Sequence, residues 1–165
     1  MSSCTKKAAL LLLVALAGLA LGGCAELQRR ELKRLATNYL DFEVKGDFIN
    51  QQVLYDSISK ALLFQPYRKE TNPLNPSTIT SYAIKDIALE GGKANLSFVA
   101  TVDTTMPYGP TSTKKYDFVL HIITEGGQWR IDEVTSRREW IAQLRGENYG
   151  TLWIQELQAQ ARARR

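Results

Sequence analysis

Two glycine pairs, Gly91-Gly92 and Gly126-Gly127, frame the most strictly patterned part of this sequence. Ala94, Leu96, Phe98, Ala100 and Val102 recur at every second position, and so do Tyr116, Phe118, Leu120 and Ile122. A period of two places alternate side chains on one face, the mark of a half-buried strand. Glycine accepts the positive φ that tight hairpin turns demand, so each pair is read as a turn between antiparallel strands. Upstream, Ile79 to Leu89 is strand-like but irregular, which predicts a bulge near Asp86. Downstream, Trp129 to Val134 supplies a fourth strand. Thr104 to Thr113 becomes the long hairpin loop, with Met106 and Tyr108 at its tip.

The flanks follow the helical period instead. Leu32, Leu35, Ala36, Tyr39 and Leu40 form an amphipathic stripe, predicting a helix from about Leu27 to Lys45 that stops at Gly46. Asp47 offers an N-cap for a second helix, with Phe48, Ile49, Val53 and Leu54 as buried candidates. Ser57 to Phe64 reads as a third turn or a continuation. Pro66, Pro73 and Pro76, beside Asn72 and Asn75, mark a non-helical connection. After the strands, Ser136 and Glu139 have capping-box spacing, and Trp140, Ile141 and Leu144 follow. Gly146 and Gly150 interrupt this pattern before Leu152, Trp153 and Leu157 restart it. Helices first, then a meander, define an α+β class: N-terminal helices packed on a curved four-stranded antiparallel meander, with a C-terminal helical extension. A strand of ~10 residues spans ~33 Å and a helix of ~19 residues ~28 Å, so the first helix can lie along the strands.

The N-terminus has a different character. Met1 to Lys7 carries two lysines and no acid, and Ala8 to Leu21 carries no charge. A basic start, a short apolar run and small residues are the parts of a secretory signal. The run falls short of the roughly 20 apolar residues that span a bilayer. Leu21-Gly22-Gly23-Cys24 resembles the lipobox of bacterial lipoproteins. The resemblance implies cleavage before Cys24, a diacylglyceryl group on its sulfur and acylation, by palmitate or a similar chain, of the new amino terminus. Two or more acyl chains anchor stably where one does not. Ala25 in the next position implies outer-membrane sorting, the chain facing the periplasm, with the inner membrane as the alternative. The expected organisation is a signal peptide over 1–23, a lipid-anchored domain over 24–135 and a helical extension over 136–165.

Composition then removes whole classes of function. The chain has 21 Lys+Arg against 17 Asp+Glu, a net charge of +4. Two of those lysines go with the signal, so the remaining balance is too mild for a nucleic-acid binder. Of two cysteines, Cys4 leaves with the signal and Cys24 takes the lipid, so no disulfide, thiol nucleophile or cysteine metal site remains. His121 is the only histidine, which argues against a histidine metal site. No cofactor is expected.

The order helix, Gly46-Asp47-Phe48, second helix, long connection and strands resembles the nuclear-transport-factor-2-like superfamily with its cystatin-like cone. The ending Glu125-Gly126-Gly127-Gln128-Trp129-Arg130-Ile131 is similar to the final hairpin of that superfamily's small lipoproteins. The resemblance spans roughly Leu32 to Val134 and implies a cone whose interior can hold a ligand. Tyr39, Phe98 and Phe118 would line such a cavity. Enzymes of the superfamily use an acid, a tyrosine or a histidine inside it. Here Tyr82, Asp103, Asp117 and His121 are the residues of those types, but Asp117 and His121 share the strand face opposite the aromatic one.

Two surfaces remain. Arg29, Arg30, Lys33 and Arg34 cluster at the start of the first helix, where cations oppose the helix dipole. They suit contact with an anionic membrane surface, each contributing on the order of 1 kcal/mol. They equally suit a solvated face supported by Glu26 and Arg30 at i, i+4. Met106, Tyr108, Tyr149 and Trp153 are the partner-contact candidates, because aromatic residues dominate interface energetics. The sequence therefore reads as a non-enzymatic, lipid-anchored envelope protein that binds a protein partner. Binding of a small apolar ligand or lipid in the cone is the alternative, followed by a ketosteroid-isomerase-like enzyme.

Overall fold

The computed structural model describes residues 25–63, 74–106 and 109–163. The lipobox, Tyr108, Pro66 and Pro73 lie outside these. Among the described residues, those up to 34 and those from 35 onward belong to separate compact units. Helix α1 covers residues 25–45. It is followed by α2 (Phe48–Gln51), a 3-10 turn (Gln52–Leu54), α3 (Ser57–Leu63), strands β1 (Ser77–Glu90), β2 (Lys93–Thr104), β3 (Ser112–Glu125) and β4 (Gln128–Ile131), then α4 (Glu133–Arg145) and α5 (Glu147–Arg162). The fold is α+β, with an open antiparallel sheet in the order β1-β2-β3-β4 and helices at its C-terminal end.

The glycine pairs turn the chain as the pattern requires. Gly91, Gly92, Gly126 and Gly127 all have positive φ. The β1–β2 register shifts between Ile84 and Asp86, where a bulge is expected, and again between Ile79 and Ser81. Phe98 pairs with Phe118 and Leu96 with Leu120, so one sheet face is continuously apolar. Ala36, Tyr39 and Leu40 of α1 are buried, as are Trp140 and Ile141 of α4.

Helix α4 begins earlier than the sequence pattern places it. Asp132, not Ser136, is the N-cap and accepts from the Thr135 N–H. Glu133 and Val134 are therefore helical, and β4 ends at Ile131. The hydroxyl of Ser136 is engaged elsewhere: it donates to the Asp132 carbonyl at 2.7 Å and accepts from the His121 N–H at 2.9 Å. Asp132 N–H donates to the His121 carbonyl at 2.9 Å, and the Trp140 indole donates to the Val119 carbonyl at 2.8 Å. Thus α4 takes over where the short β4 stops and satisfies backbone groups along the edge of β3, an edge that would otherwise invite another strand. The expected boundary at residue 135 falls inside this helix. The expected C-terminal helices are present, and α4 also contributes to the core, where Arg137 and Trp140 are fully buried.

Gly150 does not interrupt helix α5; it lies within it. A Cβ there would stand 2.7 Å from the Arg138 carbonyl oxygen and 3.2 Å from the Ala142 Cβ. The glycine is what lets α5 lie this close to α4. The break between the two helices is at Gly146 alone, whose φ is +107°.

Candidate functional site

A closed set of polar side chains lies at the centre of the larger unit. Tyr39 and Glu43 project from α1 one turn apart, Gln51 from α2, and Glu133 and Arg137 from α4, again one turn apart. All five are at most 2% exposed. Arg137 donates to both carboxylate oxygens of Glu43, at 2.8 and 2.7 Å, and through Nε to Glu133 at 2.8 Å. It also donates to the Tyr39 hydroxyl at 3.0 Å and lies 4.8 Å above the Trp140 ring. The Tyr39 hydroxyl in turn donates to Glu133 in a short hydrogen bond. Gln51 donates to Glu43 at 2.8 Å and accepts from Tyr55 at 2.9 Å.

Burial sets the electrostatics of this cluster. It pushes the Glu133 carboxyl above the ordinary range, with Arg137 opposing the rise and Glu43 adding to it. Burial likewise raises the Tyr39 and Tyr55 phenols well above 10.0. For Arg137, burial works against the charge, yet Glu133 and Glu43 together hold the guanidinium more firmly protonated than usual. Among the described residues every buried side-chain nitrogen and oxygen has a hydrogen-bond partner. The tyrosine–carboxylate pair therefore has the groups of an acid–base site, but its hydrogen bonds are all made and no substrate reaches it without opening the core.

Aromatic side chains of α1, the sheet and α4 meet around one indole. Trp140 stacks on Phe118 at 5.2 Å between centroids and meets Phe98 edge-on at 5.4 Å and Tyr39 at 6.2 Å. Tyr39, Phe98 and Phe118, the expected cavity lining, are thus core aromatics packed around one indole. The other groups considered for catalysis are dispersed. Tyr82 donates to Asp41 at 2.6 Å, and burial and that carboxylate push its phenol up to about 12. Asp103 accepts from Thr113 at 2.6 Å, and Asp117 pairs with Lys85 on the outer sheet face. His121 lies 2.9 Å from Asn95 and 2.8 Å from Glu139. Among the described residues no group of three or more His, Cys, Asp or Glu is gathered to hold a metal ion.

The surface residues are placed as follows. Arg29, Arg30, Lys33 and Arg34 are all exposed on the helical stretch 25–34, and Arg30 pairs with Glu26 at 3.2 Å. Met106 and Tyr149 are exposed, and Trp153 is half-buried. The largest correction concerns α2 and the 3-10 turn. Ile49 and Val53 were expected inside but are exposed, while Gln51 is buried. The charged cluster explains this inversion, because Glu43 and Tyr55 both need the Gln51 amide, and its inward position turns the neighbouring apolar residues outward. Sequence reasoning missed Glu43, Glu133 and Arg137. The available signals were Glu133 and Arg137 at i, i+4, and Glu43 extending the Tyr39 stripe by one turn.

The chain matches no protein-family model and no curated protein.

Proposed function

We propose that this chain is a non-enzymatic, lipid-anchored envelope protein that acts as a protein-interaction module in a periplasmic or outer-membrane assembly. The observation that carries this reading is the open face of α5. Gly150 seats the helix on α4, while Tyr149 and Leu152 stay 55% and 57% exposed. With half-buried Trp153 they lie at i, i+3 and i+4, on one helical face. Large apolar side chains grouped on one exposed helix face suit a partner's groove. The signal-like N-terminus and the lipobox support anchoring through Cys24. Exposed Arg29, Arg30, Lys33 and Arg34 support contact with anionic headgroups. Among the described residues no helix is long and apolar enough to cross a membrane, so in this reading attachment rests on the lipid.

Two measurements test the proposal. Cells fed labelled palmitate should label the wild-type chain and not Cys24→Ser. A photoreactive amino acid at position 149 or 152 should give a discrete protein adduct, whereas one at position 101 on the outer sheet face should not. Equal adducts at all three positions, or none, would remove the interaction reading.

A further inference from the structure

The segment from Phe48 to Leu63 is turned inside out. It buries Gln51, Asp56 and Ser59 and leaves Ile49, Val53 and Ile58 exposed by 61%, 63% and 67%. Burial of a Val or Ile side chain is favourable, and folding leaves that gain largely unclaimed three times within ten residues. Ile49, Gln52, Val53, Lys60 and Ala61 line an open groove of about 480 Å³, within the ~300–1,000 Å³ of small-molecule sites. Its lining is mainly apolar with one cation, Lys60. A second cation, Arg130, reaches the same turn and donates to the Val53 carbonyl at 3.3 Å. Neither cation forms an ion pair among the described residues. The acids of the flanking elements are engaged: Asp47 with Asn50, Asp56 with the Ser59 N–H, and Glu125 with Ser57.

An apolar trough with a cation in its wall and another beside it is complementary to an anionic amphiphile. We propose that the groove takes one acyl chain of an anionic phospholipid from the membrane carrying the anchor, with Lys60 meeting the phosphate. The walls are short, four residues in α2 and seven in α3, so they match a single flexible chain better than the several turns of an amphipathic helix. The inference rests on the anchored reading only for which lipid lies within reach. It concerns a different surface from the α5 face.

The test uses the full chain, reconstituted in vesicles of equimolar phosphatidylglycerol and phosphatidylcholine. A trace of phosphatidylglycerol carries a photoreactive group near its acyl terminus, and adducts are mapped by mass spectrometry. Adducts should concentrate within residues 49–61. Lys60→Gln should lower them about fivefold, the factor for one basic residue at an anionic surface. Val53→Asp should abolish them while leaving the thermal unfolding midpoint unchanged. Adducts spread evenly over the chain, or unaffected by Val53→Asp, would overturn the proposal. Loss of palmitate label at Cys24 with adducts intact would sink the anchored reading and leave the groove standing.

Discussion

Glu43 and Arg137, 94 residues apart in the chain, meet through two hydrogen bonds of 2.8 and 2.7 Å in the core of the larger unit. Removing one member of a buried ion pair costs about 3–5 kcal/mol, because the other charge stays buried without its partner. Arg137→Ala should therefore lower stability by about that much in urea unfolding, since it leaves both Glu43 and Glu133 uncompensated. Glu43→Ala should be less severe, because Glu133 still faces the guanidinium. The double variant should cost less than the sum of the two, the coupling expected of groups in contact.

Glu133 and the buried tyrosines give opposite ends of a pH profile. The folded pKa of Glu133 lies above the ordinary 4.5, so the folded state holds this proton more tightly than the unfolded one. Its contribution to stability is full below 4.5 and is lost as pH rises through the raised folded value. Subtracting the profile of Glu133→Gln from that of wild type should leave a component that falls with rising pH; a component that rises would contradict the assignment. Tyr39 and Tyr55 ionise in the unfolded chain near 10.0 but stay protonated when folded. Stability should drop as pH climbs past 10.0, and Tyr55→Phe should soften that drop.

Gly150→Ala sets helix propensity against packing. Alanine gains about 1 kcal/mol in a helix interior, but overpacking costs about 1–3 kcal/mol. The obstructing Arg138 carbonyl at 2.7 Å is backbone and cannot rotate aside. A net loss of up to about 2 kcal/mol is expected in thermal unfolding, together with more amide exchange along α5. A gain in stability would mean that α5 does not lie against α4 as described.

The inverted segment yields a paired prediction. Gln51→Ala should cost about 1–3 kcal/mol by stripping partners from Glu43 and Tyr55. Val53→Ser, two residues on, should change stability by no more than about 0.5 kcal/mol because that side chain is exposed. Denaturant midpoints for the two variants decide it. The reverse order would place Val53 in the core and Gln51 outside.

The elements were largely legible from local signals. Alternation at Leu96, Phe98 and Leu120 and the glycine pairs fix strands, turns and sheet order, because a strand's two faces and a turn's φ are decided within a few residues. The bulge near Asp86 was legible for the same reason. Helix α1 followed from its stripe. What failed was the inference that apolar means inside over the short segment that follows α1. Ile49 and Val53 look like core residues, and Arg137 and Glu43 look like surface ones, until a guanidinium and two carboxylates from α1 and α4 are brought together in three dimensions. Their partners are 94 residues apart, beyond any window of periodicity. The sequence alone thus determined the α+β class and the order of its elements. Only the tertiary structure decided which face of Phe48–Leu63 turns inward, because satisfying a buried charge network outweighs burying two or three aliphatic side chains.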